Sequence, residues 1–260
     1  MTPATRSSIC ADLQALGLAS GDAVLTHAAL RQLGPVLGGP DTVIDALLDA
    51  VGDGGTLLAY CDWQIDEAAM DDPALRDEIP PFDPARSRSI RDNGAFPEML
   101  RTTPGALRSG NPGASCAALG ARAAWFTADH PLDYGYGPGS PLAKLVEAGG
   151  KCLMLGAPLD TMTLLHHAEH IAQFPDKRIK RGQAPMLVDG RKVWRTYEEF
   201  DTGDPPEGLP DDYFATIVRD YLATGGGRTG KVAGADCVLV EAAPMVDFAR
   251  AWMERSIGRG

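Results

Sequence analysis

Short apolar runs alternate along the chain with longer segments whose apolar residues recur every three or four positions, the pattern of strands followed by helices. Residues 23–27 (AVLTH), 56–60 (TLLAY), 116–120 (CAALG) and 152–156 (CLMLG) have the length and apolar content of buried strands. Between the first two, residues 41–51 place Val43, Ile44, Leu47, Leu48 and Val51 on one helical face, with Asp41 as the expected N-cap and Gly52-Asp53-Gly54-Gly55 as the stop. Further helices are expected at about 95–101, 121–126, 140–147, 163–173 and 211–223. The run 186–194 (MLVDGRKVW) predicts a hairpin, because Asp189-Gly190 supplies the positive φ values of a tight primed turn. This alternation predicts an α/β fold, a central mixed sheet flanked by helices. Two segments lack periodicity, 61–93 and 201–208. The expected organisation is therefore a single domain over 1–260, with a loop-rich insertion at about 61–93 and a hairpin and helix region from about 183. A compact domain keeps a loop as long as the first for binding or as a lid.

Composition narrows the class. Of the 260 residues 44% are hydrophobic and 23% charged, a soluble globular balance with no apolar run of membrane-spanning length. The opening stretch MTPATRSSICADLQALGL has polar residues where a signal peptide needs an unbroken apolar core. The five cysteines are scattered, odd in number and mostly inside apolar runs, which suits buried thiols in a reducing cytoplasm. A formal net charge of −11 disfavours nucleic-acid binding and favours a small polycation as partner.

Candidate chemistry concentrates in 161–170 (TMTLLHHAEH), which holds three of the five histidines and a glutamate. On a helix, His166, Glu169 and His170 share a face while His167 points elsewhere. Such a face supports a carboxylate-oriented general base or a metal site. The HxxEH string matches the inverted zinc-peptidase pattern, with His166 and His170 as ligands, Glu169 as base and Glu241 as a further acidic ligand. Three glycine-containing loops, 33–41, 107–115 and 134–142, are candidates for cradling an anion with backbone N–H groups or for simple tight connection.

In order along the chain, VLTHAALRQLGPVLGGPDTVIDALLDAVGDGGTL, PPFDPARS, PGALRSGNPGASCAALG, GPGSPL and GGKCLMLGAPLDTMTLLHHAEHIAQFP resemble the aminoglycoside 3-N-acetyltransferase family, whose fold is unrelated to that of the common GNAT acetyltransferases. The resemblance implies acetyl transfer from acetyl-coenzyme A to the 3-amino group of a 2-deoxystreptamine aminoglycoside, with no metal. It puts the general base on His166 and its orienting partner on Glu169. It implies a coenzyme A site at Ala29, Leu30, Arg31, Val36, Gly38, Gly39, Arg108, Ser109 and Ser115. Carboxylates suit an ammonium-rich acceptor, so Asp62, Asp66, Asp160, Asp201 and Asp204 are the expected acceptor contacts, with Tyr60 and Trp63 packing on a sugar ring. Two departures fall near the implied cofactor: Ala29 replaces a common serine, and Asn111 stands where relatives commonly carry histidine. These departures keep a third reading open, a protein that binds the drug without turnover.

Overall fold

The computed structural model describes residues 2–65, 67–70, 72–173, 177–201 and 209–257. In chain order the helices and strands are α1 (Arg6–Leu16), β1 (Ala23–Ala28), α2 (Pro40–Val51), β2 (Thr56–Tyr60), α3 (Glu67–Met70), α4 (Phe96–Thr102), β3 (Leu107–Arg108), β4 (Cys116–Gly120), α5 (Ala123–Thr127), α6 (Pro141–Glu147), β5 (Lys151–Leu155), α7 (Leu164–Ile171), β6 (Ile179–Val188), β7 (Arg191–Phe200), α8 (Tyr213–Ala223), β8 (Arg228–Val232), β9 (Ala235–Glu241) and α9 (Ala242–Ile257).

Seven strands form one mixed sheet in the order β3-β4-β2-β1-β5-β9-β8. The centre is parallel, β1 pairing with β2 and β5, and antiparallel strands complete both sides. Alternation along each strand divides the core in two. Val24, Leu57 and Leu153 face α1, α2 and α4, while Ala23, Leu25, Leu58 and Met154 face α5 to α9. Burial on both faces is why these strands read as continuous apolar runs.

Helix α2 has its N-cap two positions earlier than the sequence suggested. Gly39 is the N-cap and Pro40 occupies the first turn, where its missing N–H and fixed φ cost nothing. Asp41 thus sits inside the first turn, complementing the helix dipole without capping. Gly38 is required there: its φ is +86° and a Cβ would stand 2.4 Å from Thr42 Oγ1.

Outside the main sheet, β6 and β7 form a ten-residue-per-strand hairpin turning at Asp189 (φ 48°) and Gly190 (φ 74°). The hairpin is about twice the length that the sequence pattern suggested. Part of the loop-rich 61–93 segment leans on it: Phe82 N–H donates to Pro185 O at 2.7 Å and Leu187 N–H to Phe82 O at 2.9 Å. Trp63, Ile79 and Phe82 make a small separate core that Met186 and Trp194 cover. All five cysteines are free thiols and four of them are buried.

Candidate active site

Helix α7 begins just beyond the carboxyl end of β5, after a single 3-10 turn (Leu159–Thr161). Parallel strands place ligand crevices at this end. On the helix, His166 Nδ1 lies 2.5 Å from Glu169 Oε2, the i,i+3 neighbour. The glutamate side chain is completely buried, whereas the histidine side chain is 26% exposed. The second carboxylate oxygen accepts from the Tyr213 hydroxyl of α8, and burial, reinforced by that nearby charge, holds the phenol well above its ordinary range. Lys177 Nζ donates to the backbone carbonyls of Glu169 (2.8 Å) and His170 (2.9 Å) at the end of the helix. Burial lowers the Lys177 ammonium, and the Glu169 charge opposes that shift. The His166 ring lies between Tyr136 and Phe214, with centroids 4.9 Å from each. Its Nδ1 is thus committed to a buried anion, and its Nε2 has no hydrogen-bond partner among the described residues. A ring held this way can accept a proton at Nε2 and keep the resulting charge paired.

His170 is employed differently. Its Nδ1 donates to His166 O at 2.7 Å and its Nε2 meets Glu199 Oε1 of β7 at 2.6 Å. Both nitrogens face acceptors, so no lone pair is offered to the metal that the HxxEH string suggested. Among the described residues no three His, Cys, Asp or Glu side chains converge to hold a metal ion. The zinc reading fails on this geometry. His167 points the other way, its Nδ1 donating to Tyr136 O at 2.8 Å, and burial depresses its pKa.

Two cavities neighbour this region, one lined by Tyr136 and Glu199, which contact His166 and His170, the other by Thr163 at the start of the helix. The larger, about 360 Å³, is walled by Asp62, Trp63, Tyr136, Lys180, Glu199 and Asp201, among others. The smaller, about 200 Å³, is lined by His27, Ala28 and Ala29 at the end of β1, Tyr60 at the end of β2, and Ala157, Pro158 and Thr163 beyond β5. Between them the Tyr60 and Tyr136 hydroxyls are 2.6 Å apart and each lies 3.0 Å from Gly113 O. Burial pushes both phenols well above their ordinary range. Asp62 accepts from Asn93 Nδ2, and burial raises its carboxyl to about 6 against the opposing pull of that bond and of Arg108.

The expected acceptor residues Asp62, Trp63 and Asp201 share the larger cavity, and Tyr60 lines the smaller one. Asp160 is exposed on the 3-10 turn. Asp66 and Asp204 lie outside the described residues. Of the expected cofactor residues, Ala29 lines the smaller cavity, its N–H donating to Leu155 O at 3.0 Å. Leu30, Arg31, Val36, Gly38 and Gly39 line neither cavity; Arg31 and Gly38 are exposed, and Gly39 N–H closes a turn on Val36 O.

Arg108, Ser109 and Ser115, expected at the coenzyme A site, are interior residues. The Arg108 guanidinium donates to Ser115 Oγ (2.9 Å), Ser87 O (2.5 Å) and Cys61 O, and burial lowers its pKa. Ser115 Oγ donates to Cys61 O at 2.6 Å, and Ser109 Oγ accepts from Cys116 N–H while meeting His130 Nδ1 at 2.8 Å. The short β3–β4 hairpin folds 109–115 onto its own strands, and the carbonyls of Cys61 and Ser87, distant in sequence, draw Arg108 inward. Asn111 is equally structural, its oxygen accepting from Gly113 and Ala114 N–H and its amide donating to Pro131 and Leu132 carbonyls. Residues that sequence reasoning missed are Tyr136, Glu199, Tyr213 and Phe214. Their only local signals were aromatic or acidic letters in ordinary surroundings.

A sequence model described as aminoglycoside 3-N-acetyltransferase matches residues 25–254. A Pseudomonas aeruginosa protein named aminoglycoside N(3)-acetyltransferase III is 48% identical, the alignment covering 98% of this chain and 96% of the relative. Among solved structures, AAC-IIIb in binary complex with CoASH superposes with a TM-score of 0.95 at 61% identity, covering 100% of this chain and 99% of the other. AAC-VIa bound to sisomicin gives 0.92 at 39% identity, with 98% of both chains covered.

Proposed function

Because the chain belongs to the aminoglycoside 3-N-acetyltransferase family, we propose that it transfers the acetyl group of acetyl-coenzyme A to the 3-amino group of a 2-deoxystreptamine aminoglycoside, with His166 as general base and Glu169 as its orienting partner. The observation that carries this reading is the His166–Glu169 contact of 2.5 Å to a fully buried carboxylate. In this account the substrate amine adds to the thioester carbonyl carbon as His166 Nε2 takes its proton. The C–S bond then breaks, and the imidazolium returns the proton to the departing thiolate. Glu169 stabilises the ring while it is charged and fixes the tautomer whose Nε2 is free.

The acceptor binds in the larger cavity, where Asp62, Glu199 and Asp201 meet its ammonium groups. Sisomicin bound to AAC-VIa supports an acceptor of this class. The acetyl end of the coenzyme reaches the smaller cavity at the carboxyl ends of β1, β2 and β5, and the CoASH complex of AAC-IIIb supports coenzyme A as the donor. Residues 1–260 act as one domain, in which the 61–93 insertion and the hairpin region from about 183 shape the acceptor side.

The test is thiol release from acetyl-coenzyme A with a panel of aminoglycosides. The wild type releases thiol, and His166→Ala loses turnover while still binding the drug. Full activity of that variant refutes the catalytic assignment, and drug binding by the wild type without any thiol release supports sequestration.

A further inference from the structure

His27 is a buried titratable group that the mechanism above leaves unused. It is the fifth residue of β1, on the same face of the strand as Ala23 and Leu25, which pack against the layer containing α7. Its ring therefore faces the His166 side of the sheet, and it contributes to the wall of the smaller cavity. Its Nε2 is buried and has no hydrogen-bond partner among the described residues. Buried polar atoms are almost always bonded, so an orphan beside a ligand cavity marks a contact that the ligand completes. Burial, reinforced by the charge of His166, lowers the His27 pKa to about 4. The ring is neutral at physiological pH and keeps one N–H to donate.

On the reading that the acetyl thioester occupies the smaller cavity, we propose that His27 is a second catalytic residue, donating its ring N–H to the carbonyl oxygen of the acetyl group. When the amine lone pair adds to the carbonyl carbon, the C=O π pair moves onto oxygen and the N–H···O bond strengthens. Collapse restores the carbonyl and expels the thiolate, and His27 keeps its proton throughout. A neutral donor suits this task, because it polarises the carbonyl without surrendering a proton to the oxyanion. The division of labour is clear: His166, held by an anion, gains a proton, and His27, without one, lends a hydrogen bond.

The experiment is difference infrared spectroscopy of acetyl-coenzyme A isotope-labelled at its carbonyl carbon, bound without acceptor. Wild type and His166→Ala should lower the carbonyl stretching frequency. His27→Phe should abolish the shift and reduce kcat by about 10²–10³-fold, with the acceptor KM within about threefold. His27→Asn, which keeps an N–H donor, should retain part of both. A folded His27→Phe protein that preserves the shift, or keeps kcat within about threefold of wild type, overturns the proposal. Nitrogen NMR of the wild type guards against misfolded variants: the His27 ring N–H must move downfield on adding acetyl-coenzyme A, and an unmoved signal under saturation also overturns it. Calorimetry separates the two readings. Saturable binding with a carbonyl insensitive to His27 refutes this proposal alone, whereas no binding of acetyl-coenzyme A to the wild type refutes the donor-site reading beneath it.

Discussion

Replacing Glu169 by glutamine probes the dyad with almost no change of shape, and two separable costs follow from the structure. The first is electrostatic. When His166 takes up a proton, its charge sits about 4 Å from that of Glu169, worth about 4 kcal/mol at an effective dielectric near 20. A transition state with the proton half transferred gains about 2 kcal/mol of this, a factor of about 30 in rate. The second cost concerns the tautomer. The Tyr213 hydroxyl donates to one carboxylate oxygen and His166 Nδ1 approaches the other at 2.5 Å. In Glu169→Gln the tyrosine selects the amide oxygen, so the NH₂ group faces Nδ1 and drives the ring proton to Nε2, the atom that must accept. The two costs together give an expected loss of about 10²–10⁴-fold in kcat. Adding Tyr213→Phe frees the amide to turn its oxygen towards Nδ1, so the double variant should recover about tenfold over Glu169→Gln alone. The assay is initial-rate thiol release at saturating acetyl-coenzyme A and drug, with drug binding followed separately by calorimetry. A Glu169→Gln enzyme within about threefold of wild type would falsify the dyad assignment. A double variant slower than Glu169→Gln would show that Tyr213 does not set the amide's orientation.

Asp62, raised to about 6 by burial, should make drug affinity pH-dependent: the carboxyl is protonated below that value, so affinity rises as pH climbs through it with proton release on binding. Asp62→Asn should weaken binding above the transition by about 10–150-fold and flatten the profile, measured by calorimetry in buffers of different ionisation heat. A retained pH step in that variant moves the titrating group elsewhere. The same raised carboxyl contributes stability that is complete below its unfolded pKa and lost as pH rises through about 6, so Asp62→Asn should also stabilise the free protein at neutral pH. Arg108→Ala removes the guanidinium from two backbone carbonyls and a serine and should cost about 3 kcal/mol or more in denaturant unfolding. If Arg108 is purely structural, coenzyme A affinity of the folded fraction stays within about threefold; a large loss with unchanged stability restores its expected cofactor role.

What the sequence disclosed was local. The His166–Glu169 pair could be read because helix geometry brings i and i+3 together whatever surrounds them. The four central strands could be read because burial on both faces leaves an apolar run. The edge strand β8, Arg228–Val232, has four exposed residues of five and carries no such signature. Arg108 shows a different limit. An arginine among glycine, serine and proline looks the same whether it reaches for a phosphate or folds inward. The deciding partners, Cys61 and Ser87, lie 47 and 21 residues away. Tyr213 is likewise 44 residues from the carboxylate it supports.

The same limit separates the two histidines of the HxxEH string. The HxxEH string offers both His166 and His170 as ligands, although only His166, at i,i+3, is placed by the helix to meet Glu169. Tertiary partners complete the separation, because His170 meets Glu199 at 2.6 Å and is only 3% exposed, whereas His166 keeps Nε2 free and a quarter of its side chain open. Glu199 also accepts from Gly135 N–H at 2.7 Å and lines the larger cavity. One carboxylate of the β6–β7 hairpin thus ties the hairpin to α7, fixes the loop that carries Tyr136, and stands in the wall of the larger cavity. The hairpin is not a detachable cover. Its position sets the ring against which His166 stacks, so substitutions at Glu199 should reach His166 and the larger cavity together, and on the proposed function kcat and KM should shift together in such variants.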